Sequence, residues 1–464
     1  MTTSLGIENQ RPNHISKISV RKLFGYYNYV FPNEGELSEL VILYADNGAG
    51  KTNLLKLIFQ VLSVSRNQGH KTALAATPFS ELEIELQNGY LIRVKRPEGL
   101  LTGPVTFEII HGKELLAAWH FDASKDEQNY TVERGIDKKT LAKLPASIRA
   151  QIENSIGKQQ YFAQLTKLNV LCSILTPDRM LLSGDPNQES IDTVQGSRRG
   201  SLSDLLLQNR VNSLESAFAA ATDHIRKKVY RGAYSSGESA NQIYDGVINR
   251  ILNAKPSAES VQTPAKIRDS VKKILRSLEL DYVRYSEYGL AGRINIDDLI
   301  NSIDKARGDK LGLVNSIIEP YLNSLEARAK ALEEVYKIVH SFVKNINAFL
   351  RDKKLYFKVS SGFSIQSDFS PHALEKSQLS SGEQQLLLMF CHVLAARDTS
   401  SIFIIDEPEI SLNIKWQRIL VAALMEVAKD SGIQLIFSSH SFEILARHRD
   451  MVVALEQHSS SVIN

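Results

Sequence analysis

Asp406 and Glu407 close the run "SIFIIDE", so two carboxylates emerge together at the end of a stretch apolar enough to be a buried strand. In an open α/β sheet, that edge is where ligands bind. There Asp406 could hold a divalent cation such as Mg²⁺, and Glu407 could orient or deprotonate an attacking water. An acidic turn opening the next helix would be the plainer reading, but it leaves unexplained two acids directly after a buried strand.

A second stretch has complementary chemistry. "VILYADNGAGKTNLL" (41–55) carries Gly50, Lys51 and Thr52, the last three positions of the phosphate-loop pattern G-x-x-x-x-G-K-[ST], but Ala45 stands where the first glycine belongs. Asn47, Gly48, Ala49, Gly50, Lys51 and Thr52 would wrap backbone N–H groups around phosphates at a helix N-terminus, with Asn53 next along the helix. Lys51 would reach the β- and γ-phosphates, and the Thr52 hydroxyl would join Asp406 on Mg²⁺. Ala45 costs about 1–2 kcal/mol if its position needs positive φ, and almost nothing if it simply ends the strand.

Two more segments could serve the same chemistry. In "QLSSGEQQLLLMF", Ser380 and Glu383 have the spacing of a capping box, so a routine helix start explains them. The same geometry puts Ser380, Ser381 and the Gly382 backbone at a positive helix end able to grip a γ-phosphate, with Glu383 behind them. In "LIFSSHSFEIL", His440 follows another buried-strand candidate. A lone histidine is more often structural; beside the other three segments it becomes a candidate γ-phosphate sensor.

The elements that must position these groups can be read in outline. "LVILY" is a strand buried on both faces, and Leu54, Leu55, Ile58, Val61 and Leu62 give the following helix an apolar face. "ELEIELQNGYLIRV" alternates and turns at Asn88-Gly89, a hairpin signal; "VTFEIIHGKELLAAWHF" reads as another hairpin around Gly112. From Leu322 to Leu350, apolar residues recur at three- and four-residue steps. That predicts either an antiparallel helical hairpin or short coiled coil, or one long core-facing helix. The polar stretches 183–201 and 253–266 read as linkers. Near the C-terminus, strand–helix–strand units imply a parallel sheet. The expected organisation is α/β: an N-terminal lobe over 1–180 with an antiparallel β subdomain, a helical, short coiled-coil-like insertion over 181–355, and a C-terminal lobe over 356–464. The two ends would fold together into one head.

Bulk properties exclude several classes. Of 464 residues, 55 are Lys or Arg and 52 Asp or Glu, a balance that demands no nucleic-acid partner. No run approaches the roughly 18–20 apolar residues of a membrane span. The two cysteines, Cys172 and Cys391, sit in apolar runs and fit a reducing compartment. With no apolar core near the start for a signal peptide, the expected location is the cytoplasm.

Lysine loop, Ser-Ser-Gly-Glu box, Asp-Glu pair and histidine occur in that order, each at the end of a suitable element. In this the chain resembles the ABC-type P-loop NTPase heads of the RecF, SMC and OLD-like group. The resemblance covers roughly 15–180 and 356–464. It implies a Walker A loop at 45–53, a signature motif at Ser380–Glu383, a Walker B motif with catalytic Glu407, an H-loop at His440 and a D-loop at "ISLN". "ILTPDRMLL" (174–182) is similar to the segment entering the family's insertion, and "KLFGYYNYVF" to its first strand, where Tyr26, Tyr27 or Tyr29 would stack on adenine. Ser381 departs from the usual Ser-Gly-Gly, and Gln159, Gln160 and Gln164 are the options for a Q-loop glutamine.

ATP and Mg²⁺ follow from the resemblance, as does a head-to-head dimer in which the signature of one copy completes the site of another. A compact head with a helical insertion and no nuclease domain of its own resembles the ATPase subunits of bacterial anti-phage systems of the Septu, PARIS and retron-associated types. Those form higher homo-oligomers and act with a separate effector, usually a nuclease, under a DNA or phage-protein trigger. The alternatives are a RecF-like repair ATPase, with "HIRKKVYR" (224–231) and "GSRRGS" (196–201) as possible phosphate contacts, and a nucleotide-dependent scaffold with little turnover.

Overall fold

The computed structural model describes residues 13–66, 68–124, 145–185, 212–232, 264–305, 310–370 and 372–457. These fall into two compact units, one within 1–200 and 395–464, the other within 201–394. The linker candidate 183–201, apart from its first three residues, lies outside the described residues, as do "GSRRGS" and most of 253–266.

Two six-stranded sheets build the first unit. The strands of one are β1 (Ile15–Leu23), β2 (Tyr27–Phe31), β4 (Glu81–Leu86), β5 (Tyr90–Lys95), β6 (Val105–His111) and β7 (Glu114–Phe121), ordered β2-β1-β4-β5-β6-β7 and antiparallel throughout. Alternation explains it: Leu82, Ile84 and Leu86 of β4 are buried, while Glu81, Glu83 and Glu85 point the other way. There Glu81 pairs with Arg21 at 3.2 Å and Glu83 with Arg93 at 2.6 Å. Both expected hairpins form, with Gly89 at φ 83° and Gly112 at φ 61°.

The other sheet joins the two ends of the chain. β3 (Leu40–Tyr44), β8 (Cys172–Leu175) and β9 (Leu181–Ser183) come from the N-terminal half; β12 (Ile402–Asp406), β13 (Gln434–Ser438) and β14 (Val452–Ala454) come from the C-terminal end. The order is β14-β3-β13-β12-β8-β9, parallel except for the edge strand β9. β12 and β13 are buried along their whole length, as their unbroken apolar runs require.

Helix α1 (Lys51–Leu62) buries Leu54, Leu55, Ile58, Val61 and Leu62 in the core shared by both sheets. Its far end is tied by Lys71 of α2 (His70–Ala76), whose ammonium donates to the carbonyls of Gln60 and Val61 at 2.7 and 2.8 Å. Lys71 also lies over the Phe107, Tyr161 and Phe162 rings. Burial pulls its pKa down to about 7. Helix α3 (Ala146–Lys167) packs on β6 and β7 and carries all three Q-loop options, Gln159 and Gln160 exposed and Gln164 half-buried.

The second unit is mostly helical: α4 over 212–232, α5 (Pro264–Glu287), α6 (Asp297–Lys305), α7 (Lys310–Asn347) and most of α8 (Ser381–Ala396), with a hairpin of β10 (Lys353–Lys358) and β11 (Gly362–Ser367). The apolar seam read from Leu322 belongs to a single long helix, α7, which buries Leu322, Ala329, Leu332, Val339 and Ile346. Its neighbour α5 does not form an antiparallel hairpin with it. Tyr285 bonds Ala329 and Glu333, and Tyr288 bonds His340, so partner numbers rise together and the helices run in the same direction. A seam fixes which face is apolar and says nothing of a partner's direction; α6 provides the return path. Arg226, in the basic run 224–231, donates to the carbonyls of Val359 and Ser360 at 2.9 and 2.8 Å, so it ties α4 to the hairpin turn. No helix among the described residues is long and apolar enough to cross a membrane.

Candidate active site

Parallel pairing sets Leu43, Ser438 and Asp406 side by side at the C-terminal ends of β3, β13 and β12, with Leu175 of β8 beside Ile405. Four loops therefore leave one sheet edge: 45–50, 439–441, 407–412 and 176–180. The sequence-predicted phosphate loop, Asp-Glu pair and histidine come together here.

In the first loop, Gly48 and Gly50 have φ of 85° and 81°, a region that disfavours any side chain. A Cβ on Gly50 would also meet the Phe24 ring at 3.0 Å. Ala45 is not among the residues of positive φ, and it is buried, 6% exposed. The missing first glycine thus carries no left-handed penalty. Helix α1 begins at Lys51 with no side-chain cap and no acid in its first turn, so its leading N–H groups are left for an anion. Thr52 is half-buried and Asn47 and Asn53 are exposed.

Lys51 is buried, 5% exposed, and its ammonium donates to the carbonyls of Ala45 and Asp46 at 2.7 and 3.0 Å. Burial pulls its pKa below the usual lysine value; the charges of Glu407, Asp406, Asp46 and Glu409 act against that pull. The cation thus sits in the field of the whole carboxylate group. Of the three tyrosines, Tyr29 is buried with its hydroxyl on the Ala49 carbonyl at 2.9 Å, which rules out its ring as a stacking platform. Tyr27 bonds the Gly48 carbonyl at 3.3 Å, and Tyr26 is 58% exposed beside it.

Asp406 is 1% exposed. Its Oδ1 accepts from the Ser438 hydroxyl, whereas its Oδ2 is buried with no hydrogen-bond partner. An unpaired buried carboxylate oxygen is costly unless a cation or water completes it. That unpaired carboxylate oxygen, with the Thr52 hydroxyl on the first turn of α1, fits a hard oxygen-seeking ion such as Mg²⁺. Glu407 has φ 49°, a conformation costing a non-glycine residue on the order of 1–3 kcal/mol and concentrated at functional sites. Its N–H donates to the Ser438 carbonyl at 3.1 Å and its carbonyl accepts from Arg179 at 3.1 Å. His440 is exposed, with its backbone N–H on Glu409.

Glu409, Arg179 and Ser438 are the site residues that sequence reasoning missed. The third acid in "DEPE" was a visible signal for Glu409. Nothing local pointed to Arg179, which meets Glu407 from 228 positions away.

Ser380–Glu383 belong to the other unit. The capping box forms as spaced: Ser380 Oγ accepts from the Glu383 N–H at 3.3 Å, and Glu383 Oε2 accepts from the Ser380 N–H at 2.8 Å. Lys353 also donates to both Glu383 oxygens, at 2.9 and 3.0 Å. Ser380 and Ser381 are exposed, Gly382 and Glu383 buried. Burial pushes the Glu383 pKa up, but Lys353 and both Ser380 donors outweigh it and hold the carboxyl below its usual range. A depressed pKa contributes stability that is complete above the unfolded value and lost as pH falls through the folded one. Thermal unfolding followed from neutral to acid pH should therefore show a loss that Glu383→Gln flattens; parallel acid limbs would refute it.

The parallel sheet, with the glycine-bearing loop and the acidic pair on one edge, is an α/β architecture consistent with an ABC-type P-loop NTPase fold. The sequence family described as "AAA domain, putative AbiEii toxin, Type IV TA system" matches residues 290–446, less than half of the chain. That match includes Ser380–Glu383, Asp406, Glu407 and His440, and supports an ABC-type ATPase. No curated protein matches the chain. Among solved structures, an Smc head domain with an extended coiled coil, bound to the C-terminal domain of ScpA from Pyrococcus furiosus, is 13% identical; 96% of each chain is covered at a TM-score of 0.37. An SmcHead bound to the C-winged helix domain of ScpA is 11% identical, covering 96% of this chain and 98% of that one at 0.35. The Smc head of Pyrococcus yayanosii with a coiled coil and joint is 14% identical, covering 96% and 97% at 0.33. Likenesses so distant carry nothing further here.

Proposed function

We propose that the chain binds ATP with Mg²⁺ at this edge, hydrolyses it, and uses nucleotide-dependent head-to-head association to control a separate effector, a nuclease, in bacterial anti-phage defence. The observation that carries the nucleotide reading is the buried, unpartnered Asp406 Oδ2 on the same sheet edge as the uncapped start of α1. In this reading Lys51 and the N–H groups of 47–53 hold the phosphates, and Thr52 and Asp406 hold the ion. The ion, when bound, neutralises phosphate charge. Glu407 orients the water and takes its proton; His440 lies at the γ-phosphate end. Ser380, Ser381 and Gly382 of a second copy complete the site, so association is a population shift powered by tighter ATP binding in the closed pair. The defence assignment rests on the compact head with a helical insertion, and the matched family's description, which names a toxin of a toxin–antitoxin system, is compatible with it.

Purification from the native host followed by a turnover assay tests both halves. Phosphate release per chain should rise with chain concentration, because one copy completes another's site, and a nuclease should co-purify. A rate independent of concentration would sink the association. Near-zero turnover would favour a scaffold, and co-purification with repair DNA a RecF-like role.

A further inference from the structure

Glu409 follows the Asp-Glu pair by two residues and has no role in the reading above. Its Oε1 accepts three hydrogen bonds from one short segment: the Ser439 hydroxyl at 2.8 Å, the His440 N–H at 2.7 Å and the Ser441 N–H at 3.1 Å. Bonds to an ionised carboxylate are roughly twice as strong as neutral ones, and three converging on one oxygen fix a loop in direction as well as distance. Ser439 is fully buried, so the clamp is partly shielded from water.

A second bridge runs beside it. Gln417, on α9 (Ile414–Ala428), donates to the Leu412 carbonyl at 2.8 Å and accepts from the Ser441 hydroxyl at 2.7 Å. Arg418 then pairs with Glu443 of α10 (Phe442–Arg447) at 2.8 Å. The turn 407–412 and the segment 439–443 are thereby tied at several points, although β12 and β13 hold them only at their roots.

We propose that Glu409 is a positioning residue that locks the His440 segment to the Glu407 turn, so that the water-orienting carboxylate and the histidine keep one fixed spacing. The inference rests on the ATPase reading for its catalytic consequence, but the clamp itself does not. Without it, only the Gln417 and Arg418 bridges and the strand ends would hold the two segments, none of them bonded to the His440 N–H, and the pair would sample spacings in which only one group meets the γ-phosphate. Reacting groups misplaced by about 1 Å cost on the order of 100-fold in rate.

The test uses the full chain with Glu409→Ala and Glu409→Gln, the second keeping an acceptor oxygen for the same donors. Hydrogen exchange without nucleotide should show faster exchange of the His440 and Ser441 amides in the alanine variant and near-native protection in glutamine. ATP turnover should fall by at least 10-fold in alanine with ATP affinity unchanged, and recover in large part in glutamine. Native exchange in the alanine variant would overturn the clamp whether or not the chain hydrolyses ATP. Lost protection with native turnover would overturn its link to catalysis. Absence of turnover in the unsubstituted chain would instead overturn the ATPase reading, leaving the exchange result to decide the clamp.

Discussion

Glu407→Gln is expected to lower ATP turnover by roughly 10²–10⁴-fold, the usual range for losing a general base, while ATP still binds. Glutamine keeps the size and backbone demands of the residue, and the N–H and carbonyl that bond Ser438 and Arg179 remain in place. What disappears is a charged acceptor able to orient water and take its proton. Because hydrolysis would reset the associated state, this variant should also accumulate as nucleotide-bound pairs. Phosphate release and size-exclusion chromatography with ATP read the two effects together. Native turnover in the variant would remove Glu407 from the role, and equal near-zero rates in both chains would remove the enzyme.

Lys51→Ala carries the second large effect, on affinity. In the structure the ammonium is buried and bonded to the Ala45 and Asp46 carbonyls, so it is already held in the loop and within the field of Glu407 and Asp406. A hydrogen bond to a charged group is worth about 1.5–3 kcal/mol, so losing the lysine contact to phosphate should weaken ATP binding on the order of 10- to 100-fold. Arginine is no substitute, because its planar fork does not fit a point-charge position enclosed by backbone. Nucleotide titration by calorimetry measures this. Unchanged affinity in Lys51→Ala would exclude the loop as the phosphate site. With Gly48 and Gly50 left-handed and Ala45 without positive φ, the missing first glycine brings no left-handed strain to the loop.

Much of the site was legible because it is local. The strand–loop–helix around Lys51, the Asn88-Gly89 hairpin and the capping box at Ser380 each depend on residues within a few positions, where torsional preference and short-range hydrogen bonding dominate. The pairing of Asp406 with Glu407 at the end of a buried strand is equally local. So is the amphipathic face of α7, although its neighbour's direction was not.

Other features required the folded chain. That β3, β13 and β12 lie adjacent, with Leu43, Ser438 and Asp406 in register, follows from pairing between segments as far apart in the chain as Leu43 and Ser438. Hydropathy patterns mark strands as buried but do not order them within a sheet. The Glu409 clamp, the Arg179 contact and the unpartnered Asp406 Oδ2 all depend on that order. By itself, then, the sequence determined the chemical groups and the element ending on which each stands. Only the tertiary structure decided which groups share an edge, and it did so through long-range strand pairing, whose free energy no single segment contains.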